Sequence, residues 1–182
     1  MPEKLPVVIR PCFEMDLQFV QLIYAHHVNT GTGTFEIVPP ELKEMNTRWS
    51  AIAAREWPYL VACAESDPSR IFGFAYAAQF RDRAAYAHTF EDSVYVAPNV
   101  IGRGVGGQLL SALLLQLHTM KVREVLALVG DRANISSIGL HLHRNFVEIG
   151  EMRNVGHKFG RWLDVVLMQC TMPSARDGDL KK

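Results

Sequence analysis

The sequence predicts a single α/β domain on three observations. Short apolar runs of strand type alternate with segments whose apolar residues recur every three or four positions. A strand-like run passes through a glycine-rich turn straight into an amphipathic stretch. No linker, internal repeat or low-complexity run divides the 182 residues. We place the domain at residues 6–172 and a polar tail, expected to be mobile, at 173–182. A chain of this length buries roughly 70% of its unfolded surface and needs no staple to fold.

Taken in order, Pro6–Arg10 reads as a first strand through Val7, Val8 and Ile9. Asp16–Val28 is a helix with Phe19, Val20, Ile23, Tyr24 and His27 on one face, ended by the breaker Asn29-Thr30-Gly31. Thr30–Pro40 is a loop carrying Phe35 among small residues. A second helix is expected from about Pro40, which suits a first turn, with Leu42, Met45, Trp49 and Ile52 inward. Strands at Tyr59–Glu65 and Ile71–Phe80 flank the turn Ser66–Arg70. Ala84–Val96 alternates like one long strand, and Glu91-Asp92 within it predicts a bulge. Gly106–Val122 is the clearest helix, with Leu109, Leu110, Leu113, Leu114 and Leu117 in one stripe. A strand at Val125–Val129, a short helix at Ser136–Arg144 and strands at Val147–Arg153 and Trp162–Met172 complete the chain. The last two strands bracket a loop at Val155–Arg161.

Composition narrows the function classes. Lys plus Arg equals Asp plus Glu at 19 each, so no global field recruits nucleic acid or an anionic membrane. Cys12, Cys63 and Cys170 are scattered and odd in number, as expected of reduced thiols in a cytoplasmic protein. Neither a signal peptide nor a run of the ~18 apolar residues a membrane span needs is expected. His141 and His143 are two apart and point to different sides of their helix, so they form no metal pair, and no other metal cluster is expected. No cysteine has an adjacent base, and no GxSxG elbow occurs.

The strongest local signal is Ser93–Leu110, where Val94-Tyr95-Val96 leads through Gly102, Gly104, Gly106 and Gly107 into the leucine-striped helix. Glycines let backbone N–H groups approach an anion, and the positive end of the helix dipole favours it. Arg103 adds a mobile cation. A diphosphate is the natural guest. Gly102, Gly104 and Gly107 satisfy the dinucleotide pattern GxGxxG. That fingerprint, however, normally follows the first strand of an α/β sheet, and here about half the chain precedes it.

The loop Ile101-Gly102-Arg103-Gly104-Val105-Gly106 resembles the Gln/Arg-x-x-Gly-x-Gly/Ala cofactor loop of the GNAT superfamily of N-acetyltransferases, with Ile101 at a normally polar position. The likeness runs from about Val8 to Met172 and resembles in particular the phosphinothricin/methionine sulfoximine acetyltransferase branch. It is carried by His88–Val96, Leu140-His141 and Lys158–Asp164, with Asn145-Phe146 where the family has Gly-Phe or Gly-Tyr.

The resemblance implies a twisted mixed sheet of about seven strands, splayed at a bulge in the fourth and flanked by about four helices. It also implies acetyl-CoA as acyl donor and a homodimer. Backbone groups of Val94, Tyr95 and Val96 would align the thioester, and Gly102, Arg103, Gly104, Val105, Gly106 and Gly107 would hold the pyrophosphate. Asn134 and Ser137 would lie along the cofactor arm. Phe35, Arg81, Asp82, Arg83 and Glu91 would form the acceptor pocket; Lys158, Arg161 and Trp162 are read either as closing its acceptor side, across a dimer interface, or as a plain surface loop.

Acetyl transfer needs a free amine, support for the carbonyl oxygen and a proton for the thiolate. Glu91 is the candidate base, its pKa raised by burial among Phe90 and Tyr95. The Val96 N–H is the candidate oxyanion donor. His141 stands where superfamily members often carry an acidic tyrosine, and is read as general acid, proton relay or packed helix residue. Arg81 and Arg83 suit an acceptor carboxylate. The expected activity is acetylation of the α-amine of a small amino acid or analogue. The alternatives are a peptide N-terminus or a polyamine as acceptor, a catalytically silent acyl-CoA sensor and an NAD-dependent oxidoreductase.

Overall fold

The computed structural model describes residues 4–173; apart from Pro173, the tail expected at 173–182 lies outside them. Seven strands, β1 (Val7–Pro11), β2 (Tyr59–Ala64), β3 (Ile71–Gln79), β4 (Thr89–Val96), β5 (Glu124–Gly130), β6 (Val147–Lys158) and β7 (Arg161–Thr171), form one sheet in the order β1-β2-β3-β4-β5-β7-β6. Four α-helices flank it: α1 (Leu17–Thr30), α2 (Leu42–Ala53), α3 (Val105–Thr119) and α4 (Ile135–Leu142). All neighbouring strands are antiparallel except β4 and β5, which the α3 crossover makes parallel.

The leucine stripe of α3 behaves as its spacing requires. Leu109, Leu110, Leu113 and Leu117 are wholly buried, and Leu114 packs at the core's margin. Each fully buried leucine contributes roughly 1.5–3 kcal/mol, so this helix is fixed to the sheet independently of any ligand. Asn145 follows α4 with φ 64°, the left-handed conformation that asparagine tolerates in place of glycine.

Four expectations are corrected. The helix expected from Pro40 starts at Leu42, because Glu41 before it stays extended at ψ 163°, and Leu42 in the first turn is exposed. Residues Ala84–Tyr86 form a 3-10 turn closed by local bonds from Tyr86 N–H to Arg83 and from Ala87 N–H to Ala84, so the strand starts only at Thr89. The β3–β4 register runs unbroken from Gly73↔Val96 to Gln79↔Phe90, so no bulge interrupts that ladder at Glu91-Asp92. The loop expected at Val155–Arg161 is mostly strand. Lys158 pairs with Arg161 across a two-residue turn, Phe159-Gly160, with φ 52° and 73°. Positive φ at both turn positions suits the twist of a tight hairpin, but phenylalanine is a poor advertisement for it.

The splay expected at the fourth strand has another origin. β4 pairs with β5 at only three positions, Thr89↔Glu124, Phe90↔Val125 and Glu91↔Leu126, and then parts from it. β5 itself continues paired with β7 as far as Gly130. A wedge-shaped gap therefore opens beyond Glu91.

The entry to α1 is held by Asp16, which accepts from Arg10 Nη1 at 2.6 Å, Arg10 Nη2 at 2.8 Å and the Phe13 N–H at 2.8 Å. Burial alone would raise its pKa, but the Arg10 hydrogen bonds, the Phe13 N–H and the Arg10 charge outweigh it and hold the carboxyl below its ordinary value. Its contribution to stability is therefore complete above the ordinary 3.8 and is lost as pH falls through the lower folded value. Asp16→Ala is expected to cost about 3 kcal/mol in chemical denaturation at neutral pH, with the deficit shrinking in acid.

Candidate active site

Strand alternation sorts the residues at the gap onto two faces. Cross-strand partners share a face, so Glu91, Ser93 and Tyr95 lie with Ala78, Tyr76 and Phe74. On that face Tyr24 of α1 meets Tyr95 edge-on, with ring centroids 5.0 Å apart. Asp92 and Val96 project to the other face: His141 of α4 bonds Asp92, and a Cβ on Gly106 of α3 would touch Val96.

The backbone follows from the same register. Ala97 N–H bonds Phe72 and Phe80 N–H bonds Thr89, so the odd-numbered residues of β4 spend their backbone groups on β3. The N–H and C=O groups of Val94 and Val96 then face away from β3, into the gap. His27 Nε2 takes one of them, lying 2.8 Å from the Val96 carbonyl. That carbonyl only accepts, so the nitrogen carries a proton, and burial lowers the pKa of the ring. The N–H of Val96 remains directed at the gap.

At the far end of β4 the glycine turn opens α3. Gly102 and Gly104 both have φ 79°, and nothing lies within 4 Å of a Cβ built on Gly102. The Gln108 N–H to Gly104 carbonyl bond, 3.2 Å, is the first of the helix, leaving the N–H groups of Gly104, Val105, Gly106 and Gly107 outside its ladder. The four glycines divide the work. Gly102 and Gly104 make the turn, Gly106 faces Val96 and Leu140 at a distance where a Cβ would make ordinary contact, and Gly107 makes room for Arg144, whose Nη2 would lie 2.7 Å from a Cβ there. Arg103 is half-buried, with its own N–H on Val100 and its carbonyl accepting from Leu5. Ile101, at the normally polar position, is exposed.

Asn134 caps α4, its Oδ1 accepting the Ser137 N–H at 3.2 Å, so both expected cofactor-arm residues sit in the first turn of that helix. His141 is buried, with Nδ1 2.7 Å from the Ser137 carbonyl and Nε2 3.1 Å from Asp92 Oδ2. Both ring nitrogens are therefore engaged within the protein.

Glu91 occupies the last rung before the gap, paired with Ala78 on one side and Leu126 on the other. Burial raises its pKa, the Arg81 charge opposes that rise and the Asp92 charge adds to it. On the same face, a cavity of about 290 Å³ is lined by Tyr24, Met45, Arg48, Ile52, Tyr59, Phe74 and Tyr76. Arg81, Asp82 and Arg83 are exposed; Arg81 stacks on Phe80 at 4.0 Å and Asp82 lies 4.0 Å from Arg55.

The loop after α1 spans the open end of the gap. Phe35 lies against bare backbone: a Cβ on Gly156 would sit 2.3 Å from its ring, and one on Gly130 2.9 Å away. Lys158 is buried and donates to the carbonyls of Gly31 at 2.8 Å and Thr34 at 2.9 Å. Its ammonium thus holds the loop that presents Phe35, and burial lowers its pKa. Arg161 pairs with Asp131 at the end of β5. Trp162 stays exposed beside His157.

Four features escaped the sequence. Lys4 lies along Gly104, its Cγ 3.3 Å from where a Cβ would stand, adding a cation to the turn. Arg144 bonds the Gly107 carbonyl at 2.9 Å and Ser111 at 2.6 Å, adding another. His27 takes the Val96 carbonyl, and Arg48 brings a guanidinium to the aromatic cavity while bonded to Glu36 and Glu44. Only the cavity left a trace in the sequence, through the alternating Phe74 and Tyr76.

Known proteins resemble this chain in sequence and fold. The phosphinothricin N-acetyltransferase of Alcaligenes faecalis is 47% identical over 161 residues, covering 88% of this chain and 80% of the relative. An L-methionine sulfoximine/L-methionine sulfone acetyltransferase of Pseudomonas paraeruginosa is 34% identical over 169 residues, covering 92% and 96%. The crystal structure of a phosphinothricin acetyltransferase from Sinorhizobium meliloti in complex with acetyl-CoA superposes with a TM-score of 0.87 at 37% identity, covering 91% of this chain and 88% of that one. The acetyltransferase (GNAT) family profile matches residues 22–146, and this chain belongs to that family of N-acetyltransferases.

Proposed function

We propose that this enzyme transfers the acetyl group of acetyl-CoA to the α-amine of a small amino acid or analogue of the phosphinothricin or methionine sulfoximine type, with Glu91 as the base. The observation that carries this reading is Glu91's place on the last β4–β5 rung. There a half-buried carboxylate of raised pKa stands on the cavity face, beside the backbone edge of Val94 and Val96. The residues around the gap fit an acyl-CoA. The N–H groups of Gly104–Gly107, with Lys4, Arg103 and Arg144 nearby, suit a pyrophosphate; the inner edge of β4 suits a pantetheine amide.

The bound thioester supplies an already activated acyl carbon. The chain's part is to free and place the amine. Glu91 accepts a proton from the acceptor's ammonium, and the raised pKa makes it a better base than a solvated glutamate. The Val96 N–H donates to the carbonyl oxygen as charge develops on it, and as the C–S bond breaks the leaving thiolate takes up the proton that the attacking amine loses on becoming an amide. The Arg81 guanidinium attracts the acceptor's carboxylate, Asp82 and Arg83 shape the rim of the pocket, and Phe35, fixed by Lys158, closes it against water.

Exposed apolar side chains on the β6–β7 arm, including Ile149, Val155, Phe159 and Trp162, support a homodimer. Three buried free cysteines support the reducing cytoplasm as its location.

Glu91→Gln is expected to lower kcat by about 10²–10⁴-fold while leaving acetyl-CoA affinity unchanged, as read by steady-state kinetics and calorimetry with an amino-acid panel. In the wild type, kcat/KM should fall on acidification as Glu91 takes up its proton at a pH above its ordinary 4.5. Gly104→Ala forces a side chain into the left-handed region at a cost of about 1–2 kcal/mol, and should weaken acetyl-CoA binding more than it alters acceptor KM. Sedimentation velocity should give a dimer that Trp162→Glu dissociates.

A further inference from the structure

The chemistry just described leaves one buried pair without a task. Asp92 and His141 are 6% and 4% exposed, and they face each other across the cofactor side of the gap. Asp92 Oδ2 meets His141 Nε2 at 3.1 Å, while Asp92 Oδ1 is buried with no hydrogen-bond partner. His141 Nδ1 lies 2.7 Å from the Ser137 carbonyl, which only accepts, so Nδ1 carries a hydrogen. A ring bonded at both nitrogens within the protein has none free for a thiolate.

Location gives the pair its meaning. Asp92 is the first residue of β4 beyond the last β5 rung, so it stands where the sheet begins to part. His141 is the one buried residue of the eight-residue α4. Of its apolar side chains Ile138 and Leu140 are half-buried and pack against the core, while Ile135 and Leu142 are exposed, so His141 is its one fully buried anchor. The bonds run from Asp92 through the imidazole to Ser137, the first-turn residue whose N–H is capped by Asn134. Buried ion pairs are seldom favoured for stability alone, whereas they do fix one arrangement over others.

We propose that Asp92 and His141 are positioning residues: together they tie the first turn of α4 to the edge of β4 where it leaves β5, and so set the width of the cleft that receives acetyl-CoA. The proposal rests on the acetyl-CoA reading of the gap. It assigns His141 to holding the cofactor wall rather than to giving the leaving thiolate its proton.

The tether has a pH dependence of defined sign. Burial opposes protonation of His141, but the Asp92 hydrogen bond and charge and the Ser137 carbonyl outweigh it and raise its pKa. The tether is complete below the ordinary 6.5 and is lost as pH rises through the higher folded value. The other titratable groups near the pair are Glu91 beside Asp92, and Cys170 of β7, which feels both Asp92 and Glu124 of β5. His143 points outward and bonds Gly139.

The test compares wild type, Asp92→Asn and His141→Gln by acetyl-CoA calorimetry, by kcat at saturating acetyl-CoA, and by nitrogen-15 NMR of the imidazole without ligand. Each variant should weaken acetyl-CoA binding about tenfold or more with kcat within a few-fold of wild type, and the double variant should be no weaker than the singles. Wild-type affinity should decline as the His141 signal titrates, and the affinity of His141→Gln should not. Unchanged affinity with kcat reduced about 10²-fold or more in His141→Gln would make it an acid catalyst and overturn the proposal. A wild-type ring with Nε2 unprotonated at pH 6 would overturn it without any variant. Failure of the wild type to bind acetyl-CoA would instead defeat the underlying reading, while the NMR titration still reports whether Asp92 holds the ring.

Discussion

The three rungs that join β4 to β5, ending at Glu91↔Leu126, set the terms for everything around the gap. A sheet that paired these strands to their ends would have no cleft. One that separated them wholly would leave buried backbone groups unpaired on two facing edges, at a cost no small domain absorbs easily. The structure shortens the pairing instead. β5 keeps β7 as a partner along its length, and β4 keeps β3, so each strand is anchored on its outer side while their inner edges part. The backbone groups of Val94 and the N–H of Val96 are then available to an extended ligand that can act as a partial strand between them, the Val96 carbonyl being taken by His27.

Period-two alternation makes that parting chemically useful. Glu91 and Asp92 are consecutive acids at the vertex, and the pleat sends them to opposite sides of the sheet. Glu91 lies on the face of the aromatic cavity and feels the charge of Arg81; Asp92 lies on the other face and bonds His141. Two residues with the same functional group thus enter different environments. One is left as a carboxylate able to take a proton, and the other is held in an ion pair. The side walls follow a similar economy, because Phe35 reaches the gap only where Gly130 and Gly156 present bare backbone.

Much of this was legible in the chain. The Gly102–Gly107 turn and the leucine stripe of α3 are local features in which periodicity and backbone freedom need no distant partner, and they lie where the sequence put them. The resemblance of that turn and of His88–Val96 to the GNAT pattern gave the family and the seven-stranded sheet. The errors fell where local propensity and tertiary pairing disagree. Ala84–Tyr86 alternates like a strand yet closes local turns, and Phe159 takes a left-handed position that the β6–β7 register imposes. Lys158 reads as a residue that closes the acceptor pocket or belongs to a surface loop, but the fold buries it beneath two carbonyls more than 120 residues away in sequence.

The sequence alone determined the glycine turn, the amphipathic helices, the order of strands and the family to which they belong, because each depends on residues close together in the chain or on a linear motif. Only the tertiary structure decided where β4 leaves β5, which of two adjacent acids faces the cavity, and that both nitrogens of His141 are taken. Those outcomes depend on register between strands and on bonds that join residues 49 apart in one case and 69 in another. A linear pattern carries no record of such distances.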